Sequence, residues 1–261
     1  MRLVVTNDDG IDAAGLHALC AHLVAGGNDV TVVAPDEDRS GASASIGRLT
    51  PGRGVPVTEE DDFPVAGVRA YRLNGPPGLA AMTACLGAFG PPPEVLVSGI
   101  NAGPNTGHAI LHSGTVGAAL TAQTFGTWGL AVSVADTQPW RWDTACHFAT
   151  DALERLRSEP AGTVLNLNAP GVAPEDALEL RWATLDRFGS VRLAVAGHGR
   201  GEVQFELRAT GAQLDPDSDT ALLDRGHATL TRLLGVSIGS PSIERAPVDA
   251  QMTLVEQAPP G

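Results

Sequence analysis

The 261-residue chain contains no lysine; all 17 of its basic residues are arginine. This excludes a Schiff-base lysine for pyridoxal phosphate or aldolase chemistry, and it excludes the lysine of a phosphate-binding P-loop. Positive charge is scarce altogether. With 30 acidic residues the net charge is −13, so no surface that tracks nucleic-acid phosphates is expected, because such binding depends on clustered cations. Aromatic residues make up only 4%, which leaves the core to valine, leucine and alanine. The three cysteines, Cys20, Cys85 and Cys146, are odd in number and lack CxxC spacing. Neither a disulfide framework nor a zinc knuckle is indicated, and reduced thiols in a cytoplasmic setting are expected. No apolar run is long enough to span a bilayer, and the short one at residues 2–6 is too brief for a signal-peptide core.

What is present in quantity is turn chemistry, with 31 glycines and 19 prolines separating short apolar runs. Residues 2–6 read as a buried strand stopped by Asn7-Asp8-Asp9-Gly10. Leu16, Leu19, Cys20, Leu23 and Val24 then recur at helical spacing. Residues 29–34 read as a second strand, so the first unit is strand, helix and parallel strand. The alternation continues with strands at 68–73, 94–98, 130–134 and 164–168 and helices at 79–86, 116–124 and 143–156. It predicts an α/β fold with a mostly parallel sheet and helices on both faces. After Pro170 the texture changes. Residues 181–185, 191–196 and 203–209 alternate charged and apolar side chains and read as an antiparallel hairpin extension without a partner in the main sheet. Unpaired strand edges invite a second chain. Residues 47–64 and the tail read as loops.

In an open parallel sheet the functional crevice lies at the carboxyl ends of the strands. Three such ends here carry oxygen donors. The first offers Asp8 and Asp9; the second leads through Asp36, Glu37 and Asp38 to Arg39 and Ser40; a later one ends at Asn101. Two carboxylates, an alcohol and an amide suit Mg²⁺, Mn²⁺ or Ca²⁺ and suit Zn²⁺ poorly. The glycine-rich loop that follows ends in Ser113-Gly114-Thr115 where the next helix begins, a natural anion site. Cation donors beside an anion seat point to metal-assisted phosphoryl chemistry. Each piece also has a plainer reading. An Asp pair after a strand is commonly a turn or a helix cap, and Ser-Gly-Thr is a common cap. The spacing Gly99, Gly103, Gly107 is not a dinucleotide fingerprint. His108 and His112 are candidates for a leaving-group acid, with packing or exposure as the alternative.

Four motifs in order carry a resemblance. They are Val4-Val5-Thr6-Asn7-Asp8-Asp9-Gly10-Ile11, then Ala34-Pro35-Asp36 with Arg39-Ser40-Gly41-Ala42-Ser43, then Val97-Ser98-Gly99-Ile100-Asn101-Ala102-Gly103-Pro104-Asn105, then His112-Ser113-Gly114-Thr115-Val116. Together they resemble the SurE family of stationary-phase survival proteins, which act as divalent-metal-dependent 5′-nucleotidases. Fainter similarity continues through residues 165–170 and 217–220. The resemblance implies a single Rossmann-like three-layer domain over 1–261, with a core at 1–170, an oligomerisation hairpin and return strand at 175–240, and a tail at 241–261. It implies one divalent cation per subunit, Mn²⁺ or Mg²⁺, on Asp8, Asp9, Ser40 and Asn101, with Asp8 and Asp9 catalytic. Phosphate contacts fall on Asn105, Ser113, Gly114 and Thr115. The implied partners are a phosphorylated small molecule, nucleoside 5′- and also 3′-monophosphates, and further copies of the chain in a homodimer or homotetramer; no nucleic acid polymer and no membrane are implied. A specialised phosphorylated metabolite as substrate, or nucleotide binding without turnover, are the alternatives. Two departures stand out. Leu79 replaces an aspartate usual before the third helix, and Ala109 replaces one four residues before Ser113, which leads to an expectation of altered substrate preference.

Overall fold

The computed structural model describes residues 1–187, 191–199, 201–209, 211 and 213–235. In chain order the elements are β1 (Arg2–Thr6), α1 (Ala14–Ala25), β2 (Asp29–Pro35), β3 (Val57–Glu59), β4 (Arg69–Leu73), α2 (Pro77–Cys85), β5 (Val95–Ala102), a 3-10 helix (Gly107–His112), α3 (Gly114–Gln123), β6 (Trp128–Val134), α4 (Trp142–Leu156), β7 (Val164–Ala169), β8 (Leu178–Trp182), β9 (Val191–Gly199), β10 (Glu202–Ala209), α5 (Asp219–Asp224) and β11 (His227–Leu233). Nine strands form one sheet in the order β3-β4-β2-β1-β5-β6-β7-β11-β8. The six strands from β4 to β7 are parallel, whereas β3 pairs antiparallel with β4 and β11 antiparallel with β7.

Period-two alternation divides the apolar side chains between two faces. Leu3, Val5, Val32, Val97, Leu130 and Leu165 face α1 and α4, while Val4, Val33 and Leu96 face α2 and α3. The central strands are buried on both sides, which is why they read as continuous apolar runs. A three-layer α/β domain results, as the motifs implied. Among the described residues no helix is long and apolar enough to cross a membrane, and all three cysteines are free and buried.

Two expectations need correction. Residues 181–185 were assigned to the hairpin, but β8 is an edge strand of the main sheet. It pairs parallel to β11, with His227 opposite Leu178 and Leu230 opposite Trp182. Among the described residues, β9 and β10 alone form a separate antiparallel pair. The physical reason is that an edge strand is solvated on one side, so the charge alternation of Leu178–Trp182 fits a sheet edge as well as a free arm. Likewise the loop at 47–64 contains the short edge strand β3, paired with β4 from Val57 opposite Leu73 to Glu59 opposite Tyr71. The tail at 241–261 lies outside the described residues.

Candidate active site

The site is assembled where β1, β2 and β5 end. Asn7 donates from Nδ2 to the Gly10 carbonyl at 2.9 Å, which closes the turn holding Asp8 and Asp9. The loop after β2 is tied to this turn by the Arg39 amide, which donates to the Asp8 carbonyl at 2.7 Å, and by the Ile11 amide, which donates to the Pro35 carbonyl at 2.9 Å. The Arg39 guanidinium bridges Asp36 at 3.1 Å and Glu37 at 3.0 Å, fixing the approach to Ser40. Ser40 itself is exposed, and its amide donates to Asp38 at 2.7 Å. The hydroxyl and amide of Ser40 hold the Asp38 carboxyl below the ordinary range. Asn101 lies within β5, which runs on past the expected strand end. Its Nδ2 donates to the Gly103 carbonyl at 2.8 Å, leaving Oδ1 as the acceptor.

Asp8 occupies an unexpected position. It does not cap the neighbouring α1, whose N-terminus at Ala13 has no side-chain cap; it meets the first turn of α3 instead. Thr115 donates from Oγ1 to Asp8 Oδ1 at 2.5 Å, and the backbone at Gly114 and Thr115 favours the charged carboxylate. A carboxylate at the positive end of a helix is favourably placed. Asp8 is nonetheless only 3% exposed, and burial outweighs these donors, so its pKa is raised. Asp9 is pushed up to about 7, first by burial and then by the charges of Asp8 and Asp38. Ser113 accepts the Val116 amide at 3.1 Å as the N-cap of α3, so its hydroxyl proton stays available to a ligand.

The remaining phosphate candidate, Asn105, is the centre of a knot. Its amide donates to Asn168 Oδ1 at 2.7 Å and its Nδ2 to Ser133 Oγ at 2.8 Å. Its carbonyl accepts from Asn166 at 2.8 Å and Asn168 at 2.9 Å. These contacts pin the loop after β5 to the ends of β6 and β7. His108, Ala109 and His112 are exposed on the 3-10 helix. Leu79 sits in the first turn of α2 at 3% exposure, in the cluster with Val33, Leu73 and Leu96. An aspartate there would bury a charge; the leucine instead contributes roughly 1.5–3 kcal/mol of apolar burial, and Pro77 starts the helix without a side-chain cap.

Among the described residues no group of three histidine, cysteine or acidic side chains could hold a metal. The expected oxygen set Asp8, Asp9, Ser40 and Asn101 contains only two acids and so is not such a group. A carboxylate that burial, and then its acidic neighbours, push toward neutrality is chemically suited to a hard dication, which would offset both effects.

These features define an α/β domain in which the acidic turn after β1 meets the N-terminus of α3. The chain belongs to the SurE family, whose description, Survival protein SurE, matches residues 3–190. A protein of Xanthomonas oryzae pv. oryzae called 5′-nucleotidase SurE is 34% identical over 238 residues, covering 88% of each chain. One of Erwinia tasmaniensis called 5′/3′-nucleotidase SurE is 34% identical over 238 residues, covering 89% of this chain and 90% of that one. The crystal structure of a SurE protein from Aquifex aeolicus has the same fold, with a TM-score of 0.75 at 22% identity over 92% of this chain and 95% of that one.

Proposed function

We propose that this chain is a divalent-metal-dependent phosphomonoesterase that releases phosphate from nucleoside 5′-monophosphates and, at the same site, from 3′-monophosphates. The observation that carries the reading is the Asp8-Asp9 pair, of which Asp8 is bonded to the first turn of α3 at Thr115, with the Ser113 hydroxyl as N-cap of the same helix. The names of the relatives supply the substrate class. Asp8, Asp9, Ser40 and Asn101 would hold Mn²⁺ or Mg²⁺, one per subunit. When bound, such a cation supplies Lewis-acid stabilisation of phosphate charge. The chain's own part is positional. Thr115 fixes Asp8, while Asp9, the more accessible of the two, orients the attacking water. Ser113 donates to a phosphate oxygen at the helix end, where developing negative charge is favoured. A panel of nucleoside monophosphates assayed with Mn²⁺, with Mg²⁺ and with chelator tests the reading. Phosphate release that depends on the cation and stops with chelator is expected; turnover indifferent to chelator would sink it.

The β9–β10 hairpin supports association with further copies of the chain. It stands outside the main sheet and exposes Val195 at 59%, Val203 at 51% and Phe205 at 62%. Apolar side chains on a projecting ribbon are best covered by another subunit. A dimer or tetramer is expected by light scattering, and Phe205→Asp is expected to shift it toward smaller species. An unchanged mass for that variant would remove the hairpin from the interface. The free, buried thiols fit a reducing, cytoplasmic setting.

A further inference from the structure

We propose that Asp219 is a positioning residue of the site, a buried clamp that sets the segment carrying the phosphate-binding Ser113 without acting on the cation donors. The proposal rests on the reading of Ser113 as a phosphate contact. Asp219 is fully buried. Its Oδ2 accepts the Gly107 amide at 2.9 Å, across 112 residues of sequence. Its Oδ1 accepts the Asp186 amide at 3.0 Å and the Thr220 amide at 2.8 Å. Asp219 opens α5, but capping of its own helix falls to Ser218, which accepts the Ala221 amide at 3.3 Å. The carboxylate is therefore turned largely to other parts of the chain.

Gly107 explains why the contact matters. It is buried, it has φ of 59°, and it begins the 3-10 helix, whose N-cap Thr106 makes no side-chain cap bond. The amide at a helix start has no partner within that helix, so Asp219 supplies from a distance the acceptor that a local cap would have supplied. The 3-10 helix runs directly into Ser113, whose amide donates to the Ile110 carbonyl at 3.1 Å. The segment between the Asn105 knot and α3 is thus pinned by Asp219 just after the knot and by Ser43, which donates to the Leu111 carbonyl at 2.7 Å. The second oxygen couples this pin to the chain leading into β9. The Asp219 amide donates to the Thr184 carbonyl at 2.8 Å, so residues 184–186 and 217–219 are locked together and both reach Gly107 through one carboxylate. Asp8 and Asp9 take no part in this network.

Asp219→Asn tests the clamp, because an amide of the same shape has a single acceptor oxygen and would turn its NH₂ toward an N–H donor on the other side. Either Gly107 or the Asp186 and Thr220 pair then loses its acceptor. In the metal-loaded protein, the dissociation constant of inorganic phosphate by calorimetry and the KM for a nucleoside monophosphate are expected to rise about tenfold. The Mn²⁺ dissociation constant of the ligand-free protein is expected to stay within about twofold of the parent. Asp219→Glu keeps the charge on a longer stem and decides the matter by the same two titrations should the amide variant fail to fold. A folded variant with unchanged phosphate binding overturns the proposal. Equal losses of Mn²⁺ and phosphate binding also overturn it, since they would mark a general collapse of the crevice. Phosphate binding requires no turnover, so a parent protein that binds phosphate without hydrolysing nucleotides would defeat the enzymatic reading while leaving the clamp testable.

Discussion

Asp9→Asn is expected to lower phosphate release by at least roughly 100-fold, the loss typical of damage to a cation's immediate surroundings, while raising the melting temperature of the metal-free protein at pH 8. The two effects share a cause. Burial and the charges of Asp8 and Asp38 raise Asp9 to about 7 in the folded chain, against about 3.9 when unfolded. The folded state therefore binds this proton more tightly than the unfolded state does. Stability from that proton is fully present below about pH 4 and is lost as pH rises through 7, where the parent carries an unrelieved carboxylate repulsion. Asparagine removes it. Discounted for the partial exposure of Asp9, the gain is about 1–2 kcal/mol at pH 8, or roughly 2–8 °C in a domain of this size. Below pH 4 the two proteins should melt alike. Added Mn²⁺ should raise the melting temperature of the parent well above its effect on the variant, because only a bound ligand stabilises by mass action. Thermal melts at pH 4 and pH 8, with and without Mn²⁺, check each part. A variant that is less stable at pH 8 would mean that Asp9 is not strained in the empty site.

The same residues show how far the sequence could be read. The sheet was legible because each central strand is a continuous apolar run closed by a polar turn, and in a parallel sheet those turns converge on one edge. Asp8, Asp9 and Asn101 could thus be placed at the carboxyl ends of β1 and β5 without knowledge of any contact. What stayed hidden was partnership across long separations. Nothing near Asp8 marks Thr115 of α3, more than 100 residues on, as its partner. Nothing near Gly107 or Asp219 marks the bond between them. Asn166 and Asn168 sit inside a buried strand, where amide side chains have no local reason to occur; their purpose is the carbonyl of Asn105. Such buried polar residues in an apolar run were the available signal. The edge strands failed for the opposite reason. The residues of β3 are all exposed and those of β8 are mostly so, so neither shows the apolar pattern by which a strand is recognised. Leu79 was flagged as a lost acid, and its burial gives it a packing role that makes the departure structurally self-consistent.

Gly114→Ala is expected to damage the site while sparing the fold. A Cβ added at Gly114 would lie 2.7 Å from Asp8 Cβ, 2.8 Å from Asp8 Oδ2 and 3.0 Å from Asp8 Cγ, all well inside van der Waals contact. Asp8 has little room to yield, because Thr115 holds its other oxygen at 2.5 Å and the turn behind it is closed by Asn7. The side chain must swing away from the helix end, taking a carboxylate out of the cation set. The helix itself benefits: alanine is favoured over glycine in a helix by up to about 1 kcal/mol, and this offsets part of the crowding. The melting temperature should therefore change little, whereas Mn²⁺ affinity should fall about 10–100-fold and phosphate release with it. Calorimetric Mn²⁺ titration beside a thermal melt separates the two effects. Native Mn²⁺ affinity in a folded Gly114→Ala protein would show that the Asp8 carboxylate does not hold the cation, and the crevice would have to be rebuilt around Asp9 and Asn101 alone.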